Sequence, residues 1–385
     1  MKRLNFIIVL AVILNVSPSV AETTLIYNFN KPTFANISAP ENIYEYNYFL
    51  GKGAENINNL GDNFFTRLLE GATLGLAIAE MDVVGHKYAH RDVAEHNGAE
   101  DTKVHIDFLG GRIKYIGSAT SLQKLKRDAT GFNWESTIVD YAIKRQLTKK
   151  VKLSSLLTYL VGQLNFPGYR FFSSDEPISE SEYNDISSYC WNITSNQKKH
   201  DKTPSCSEKT ACHCPCQKIR DKVFLDSEKA AWWNVIGALP AVRAGIVYLF
   251  TGDLPEMPNW WLNPQAELTD AGVMYVLSGW YKTKSGLTLH VRPGWGKNRV
   301  EDKDLFSLEA EISDIPLFKA LTAEITGGVS ETLEASCSIG GSVKIPVSKR
   351  QAVSLGANHY SGYHRKNPSA EGSWAEIIAQ WHLKF

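Results

Sequence analysis

The residues of this chain best suited to chemistry lie in one stretch, Glu80-Met81-Asp82-Val83-Val84-Gly85-His86-Lys87-Tyr88-Ala89-His90-Arg91. His86 and His90 are four apart, so on a helix both imidazoles leave the same face and can grip one ion. Asp82, one turn earlier on that face, suits either a third ligand or the carboxylate that orients an imidazole. The run leading in, from Gly71 to Ala79, has small side chains throughout and can approach neighbouring helices closely. A metal centre, with zinc the natural ion, is one reading. Two histidines hydrogen-bonded as polar residues between packed helices is the other.

The arrangement resembles the zincin metallopeptidases, whose active-site helix carries His-Glu-x-x-His. The resemblance makes His86 and His90 zinc ligands and implies a metal-dependent, peptidase-like hydrolase. Lys87 stands where the family has its catalytic Glu, and a lysine cannot serve as the carboxylate base that activates water. His96 has the spacing of the third metzincin histidine, with Val93 in place of the Gly that turns that chain. The other zincin branch takes its third ligand from a Glu on a later helix. Glu135, in Gly131-Phe132-Asn133-Trp134-Glu135, fits that place, with Asp140 to support a histidine. A catalytic base would then come from Glu80, Glu95 or Glu135. A degenerate site or a structural ion is the alternative.

The elements that must position these groups read as helices at Phe64–Val84, Glu135–Leu147, Leu153–Leu164 and Ser227–Phe250. In the last of these, Arg243, Asn234 and Pro240 argue for a helix buried in a helical domain and against a membrane span. Trp232-Trp233 and Trp260-Trp261 suit interfacial anchors or an ordinary core.

From Ala271 to Phe385 the pattern changes to a period of two, the mark of strands with one apolar and one polar face. Phe306, Leu308, Ala310 and Ile312 alternate with Ser307, Glu309 and Glu311. In the final run Ala375, Ile377, Ala379, Trp381, Leu383 and Phe385 share a face. That run resembles the closing strand of bacterial outer-membrane β-barrels, which alternates and ends in Phe. Backbone in hydrocarbon must be paired internally, so such a sheet faces lipid with its apolar side and a lumen with its polar side. A periplasmic sandwich or barrel shows the same alternation with its apolar face in a core. Seven runs are visible and single-chain barrels usually have an even count, so an upstream strand is expected, at Leu25–Phe29 or within Val104–Ile116.

The N-terminus reads as an address: Lys2 and Arg3, an apolar run from Phe6 to Val16, then Ser19 and Ala21 at the −3 and −1 positions of a signal-peptidase site. Export favours disulfides among Cys190, Cys206, Cys212, Cys214, Cys216 and Cys337. The alternating cysteines 212, 214 and 216 suit a tetrahedral metal poorly. Formal charge is +0, with 41 basic and 41 acidic residues, which removes the electrostatic case for nucleic-acid binding. The expected architecture is α+β. A signal peptide (1–21) precedes a mainly helical domain (22–270) with a Cys-rich loop at 190–216. An antiparallel barrel of about eight or more strands (271–385) completes it. Three functions are in contention: a metal-dependent hydrolase at the outer membrane, acting on peptide or envelope material; a non-enzymatic barrel for transport, assembly or adhesion; and an enzyme acting on lipid or envelope polysaccharide.

Overall fold

The computed structural model of the chain describes residues 24–28, 39–58, 61–107, 110–117, 120–172, 185–195, 215–299, 301–318, 321–331, 335–361 and 373–384. Among the described residues six helices carry the N-terminal two thirds: α1 (Pro40–Asn58), α2 (Phe64–His96), α3 (Ser121–Gln146), α4 (Leu153–Phe172), α5 (Asp185–Ser195) and α6 (Pro215–Thr251). The histidine helix α2 opens on a capping box. Asn63 Oδ1 accepts from the Phe65 and Thr66 amides at 3.0 and 3.2 Å, and Thr66 Oγ1 accepts from the Asn63 amide at 3.1 Å. Thr120 and Gln123 cap α3 in the same reciprocal way.

A sheet of nine antiparallel strands follows. Strand β1 (Thr24–Asn28) comes from the N-terminus, and β4 (Trp260–Leu268), β5 (Val273–Lys282), β6 (Thr288–Asn298), β7 (Lys303–Phe318), β8 (Leu321–Glu331), β9 (Ala335–Ser348), β10 (Gln351–Ser361) and β11 (Ser373–Lys384) form a meander. Their order is β1-β11-β10-β9-β8-β7-β6-β5-β4. Of the two upstream segments, the first joins the sheet, with Leu25 opposite Leu383 and Tyr27 opposite Trp381. The second forms a separate hairpin, β2 (Glu100–Asp107) with β3 (Gly110–Ile116). Among the described residues no ladder joins β1 to β4, so the sheet is open where a closed barrel was expected.

The alternation decides which face is out. Val291, Phe306, Ile325, Ile339 and Ile377 are 48, 48, 55, 66 and 72 % exposed, whereas His290, Arg292, Ser307 and His382 are buried. Apolar side chains point outward and polar ones inward, the reverse of a sheet packed on a dry core. Helix α3 lies against the polar face. Lys144 pairs with Glu311 and with Glu324 (3.0 Å), and Asp140 accepts from Ser278 (2.7 Å) and Gln265 (3.1 Å). The guanidinium of Arg292, 1 % exposed, is held by Glu267 (2.9 Å) and Gln265 (3.1 Å) and ion-pairs with Asp140. Each buried charge thus has a partner.

Both open edges are met by side-chain amides. On β1 the Asn42 amide donates to the Ile26 carbonyl (2.6 Å) and its oxygen accepts from the Ile26 amide (2.7 Å). On β4 the Pro264 carbonyl accepts from Gln163, the Ala266 amide donates to Asn234, and the Leu268 carbonyl accepts from Asn133 at 3.0 Å. These three residues alternate along one edge, and Pro264, without an N–H, belongs on such an edge.

Helix α6 differs from the expectation of a buried helix. Ala230, Ala231, Ala238, Ala241 and Tyr248 are buried, but Trp232, Ile236, Leu239, Ile246 and Phe250 are 50 to 71 % exposed. It is long and apolar enough to cross a membrane. Cys190 is buried on α5 and Cys337 exposed on β9, neither bridged among the described residues. The expected signal peptide and Cys206, Cys212, Cys214 and the Cys216 side chain lie outside the described residues.

Candidate metal centre

His86 and His90 project from α2 into a space shared with α3, α4 and α5. Close approach makes that space. A Cβ on Gly131 of α3 would sit 2.4 Å from two atoms of the His86 ring, and one on Gly85 of α2 would sit 2.0 Å from the Trp134 ring. Tyr169 of α4 stacks on His86 with its centroid 5.7 Å away, and Phe132 meets it edge-on at 5.5 Å.

The ring nitrogens are sorted by their partners. His90 Nδ1 faces the Arg127 carbonyl at 2.6 Å, which can only accept, so this nitrogen carries the hydrogen and leaves Nε2 as an acceptor. His86 Nδ1 faces the Glu135 carboxyl in a short hydrogen bond. The two Nε2 atoms then lie 2.9 Å apart, and Asp185 Oδ2 lies 3.0 Å from His86 Nε2 and 3.3 Å from His90 Nε2. Atoms this close must share either a hydrogen, carried on one Nε2 and donated to its neighbours, or a metal ion. A tetrahedral zinc at 2.0–2.1 Å from each ligand would hold them roughly 3.3 Å apart. His86, His90 and Asp185 form a group that could hold a metal ion. Glu135 and the Arg127 carbonyl, bonded to the far nitrogens, are the groups that orient metal-bound imidazoles. Glu135 Oε2 is buried with no hydrogen-bond partner among the described residues.

Charge balance follows from burial. His86 is pushed down to about 3, by burial first and by Lys87 second. Burial, reinforced by Asp82, lifts Glu135 well above the usual carboxylate range, and burial lifts Asp82 to about 7. Asn165 of α4 bridges these two carboxyls, donating to Asp82 at 3.2 Å and to Glu135. Burial also works against an ionised Asp185, but Lys87 and the two histidines outweigh it and hold that carboxyl well below its ordinary value. Lys87 Nζ donates to Asp185 Oδ2 at 3.1 Å. Asp185 opens α5, which is anchored where Ser188 and Asn192 donate to buried Asp128 at 2.6 and 3.1 Å.

Of the residues singled out in the sequence, His86 and His90 come together. Glu135 meets His86 at Nδ1, on the side away from Nε2, as an orienting group, and Asp82 is linked to Glu135 through Asn165 and stands outside the three-atom group. Asp140 faces the sheet, with Ser278 and Gln265 as partners. His96 is exposed at the end of α2, Glu80 is half-buried on that helix outside the three-atom group, and Glu95 pairs with Arg91 at 2.6 Å. The sequence reading missed Asp185, which opens an apolar helical repeat of Ile186, Tyr189, Cys190 and Ile193 that runs into the stretch read as a Cys-rich loop (190–216). That repeat was the available signal. No protein-family model, curated protein or solved structure matches this chain.

Proposed function

We propose that this chain is a metal-dependent hydrolase of the bacterial outer membrane, with the ion held by His86, His90 and Asp185. One observation carries the reading. Three atoms able to ligate a metal, from α2 and α5, converge within 3.3 Å, and both far ring nitrogens are already engaged by a carboxyl and a carbonyl. A bound zinc supplies Lewis acidity, polarising a scissile carbonyl or phosphoryl group and acidifying water. The chain's own groups do the rest. Glu135 and the Arg127 carbonyl hold the imidazoles in register, and Phe132 and Tyr169 wall the site from bulk water. Lys87 places a cation beside Asp185, suited to an anionic oxygen as it develops. The zincin route, with a glutamate base beside the first histidine, does not carry over, because Lys87 holds that place.

The membrane assignment is supported by the exposed apolar face of the sheet, its enclosed polar face, and the alternating terminal strand. A closed cylinder is reached if helices complete the wall between β1 and β4, where their amides already meet the strand edges. The test is elemental analysis of the purified protein with His90→Ala beside it. Stoichiometric zinc that is lost in the variant is the expected result, and metal-free protein in zinc-supplemented buffer refutes it. A non-enzymatic barrel with a structural ion predicts bound zinc with no hydrolysis of lipid, peptide or glycan.

A further inference from the structure

The exposed face of α6 gives a ruler for where the metal site lies. Lys229 is exposed, then Trp232, Ile236, Leu239, Val242, Ile246, Val247 and Phe250 are exposed, and Asp253 follows in solvent. From Trp232 to Phe250 the helix rises about 27 Å, close to the roughly 30 Å of a hydrocarbon core. Aromatic residues mark both ends, as they do at membrane boundaries. At the far end Phe250 packs on Phe64, which packs on Phe65, with ring centroids 5.4 and 5.7 Å apart. Helix α2 continues the belt with exposed Leu68, Leu69 and Leu76. Arg243, the single charge between Trp232 and Phe250, lies two turns from Phe250.

The near end is the one that holds the metal site. Tyr169 stacks on His86, and two residues further along α4 Phe171, 37 % exposed, touches Trp232 with ring centroids 5.2 Å apart. Between them Arg170 pairs with Glu228 at 3.0 Å, one turn outside Trp232. The level of the histidines is therefore the level at which Lys229 gives way to Trp232, the edge of the apolar belt. The carboxylic esters of membrane lipids lie at that depth, just outside the acyl chains, and their phosphates lie farther out.

Building on the hydrolase reading above, we infer that the substrate is an acyl ester of a membrane lipid, reached at the bilayer boundary beside Phe171 and Trp232. In the reaction the oxygen of water bonds to the acyl carbon and the ester carbon–oxygen bond breaks. The departing alkoxide takes one proton of that water, and the other leaves to solvent as the fatty acid ionises. Lys87 lies where the carbonyl oxygen gains charge.

Two measurements test this on the full chain in vesicles of phosphatidylethanolamine and phosphatidylglycerol. The first uses no turnover. The emission lost in Trp232→Phe is isolated as a difference spectrum and quenched with lipids brominated near the headgroup or near the chain end. Stronger quenching from the shallow bromines is expected, and stronger deep quenching, or none, overturns the placement. The second follows products by mass spectrometry with zinc bound. Free fatty acid, lost in His90→Ala and in His90→Gln, is expected, with both variants retaining the wild-type quenching profile as proof of fold. Release of headgroup phosphate, or cleavage of casein with vesicle lipid untouched, overturns the ester assignment and leaves the hydrolase reading standing. Bound zinc with no cleavage of either substrate sinks that reading, and the ester assignment with it.

Discussion

Gly131 is the most informative single position near the site, because it is itself neither a ligand nor an orienting group, yet a side chain there presses on His86. In Gly131→Ala the new Cβ would stand 2.4 Å from His86 Cε1 and Nε2 and 2.8 Å from Nδ1, where ordinary contact begins near 3.4 Å. The ring must retreat by roughly 1 Å, yet Tyr169 stacks on it and Phe132 meets it edge-on. Either the imidazole turns away from Glu135 or α2 and α3 part. Overpacking of this kind costs about 1–3 kcal/mol, offset by about 1 kcal/mol of helix propensity gained on leaving glycine. The expected net loss of stability is therefore small, about 0–2 kcal/mol. Metal affinity should suffer more, because His86 Nε2 shifts and the bond from Nδ1 to Glu135 is disturbed. Disturbing an orienting group costs about 10- to 100-fold in affinity, or about 1.4–2.7 kcal/mol.

The assay is competition for zinc against a chromophoric chelator at neutral pH, run beside urea unfolding of the metal-free proteins. Gly75→Ala, on α2 with nothing within 4 Å of its added Cβ, is the control and should leave both quantities at wild-type values or slightly raise stability. Zinc binding by Gly131→Ala with unchanged affinity and full stoichiometry refutes the geometry assigned to His86.

Three further outcomes are expected. Glu135→Gln keeps the volume but loses the carboxylate behind His86, and zinc affinity should fall about 10- to 100-fold with the fold intact, read in the same competition assay; unchanged affinity removes Glu135 from its orienting role. Asp82, pushed up to about 7 by burial, keeps its proton in the folded chain to higher pH than in the unfolded one, where it ionises near 3.8. Between these values the folded state binds more protons, so Asp82 makes stability fall as pH rises. Urea unfolding of metal-free Asp82→Asn should show an advantage over wild type that grows from pH 4 to 7, and equal pH slopes contradict this. Arg292→Met strands Glu267 and Asp140 against the sheet, and breaking such a buried pair costs about 3–5 kcal/mol, measured by urea unfolding; a loss below 1 kcal/mol means that water reaches the network.

Period-two alternation made the C-terminal strands legible, because each outward apolar residue is separated from the next by one inward polar residue, as at Phe306, Ser307 and Leu308. The histidine pair was legible for a similar reason, since a four-residue spacing brings two rings to one face. Long-range partners left less trace. Nothing near His86 in sequence points to Asp185, and Glu135 carries no mark that separates an orienting carboxylate from a ligand. Burial sets that difference, by directing its oxygen to Nδ1. The openness of the sheet was hidden for another reason: strand count constrains pairing between neighbours but not whether β1 and β4 meet.

The amides that meet those two strands have a mechanical consequence. A continuous ladder resists sliding through many equivalent bonds, any one of which is replaceable. At Ile26 both backbone groups are clasped by a single side chain, Asn42. Loss of that one amide frees both groups at once, so fraying of the molecule should begin there, and amide exchange at Ile26 should outpace that of the interior strands.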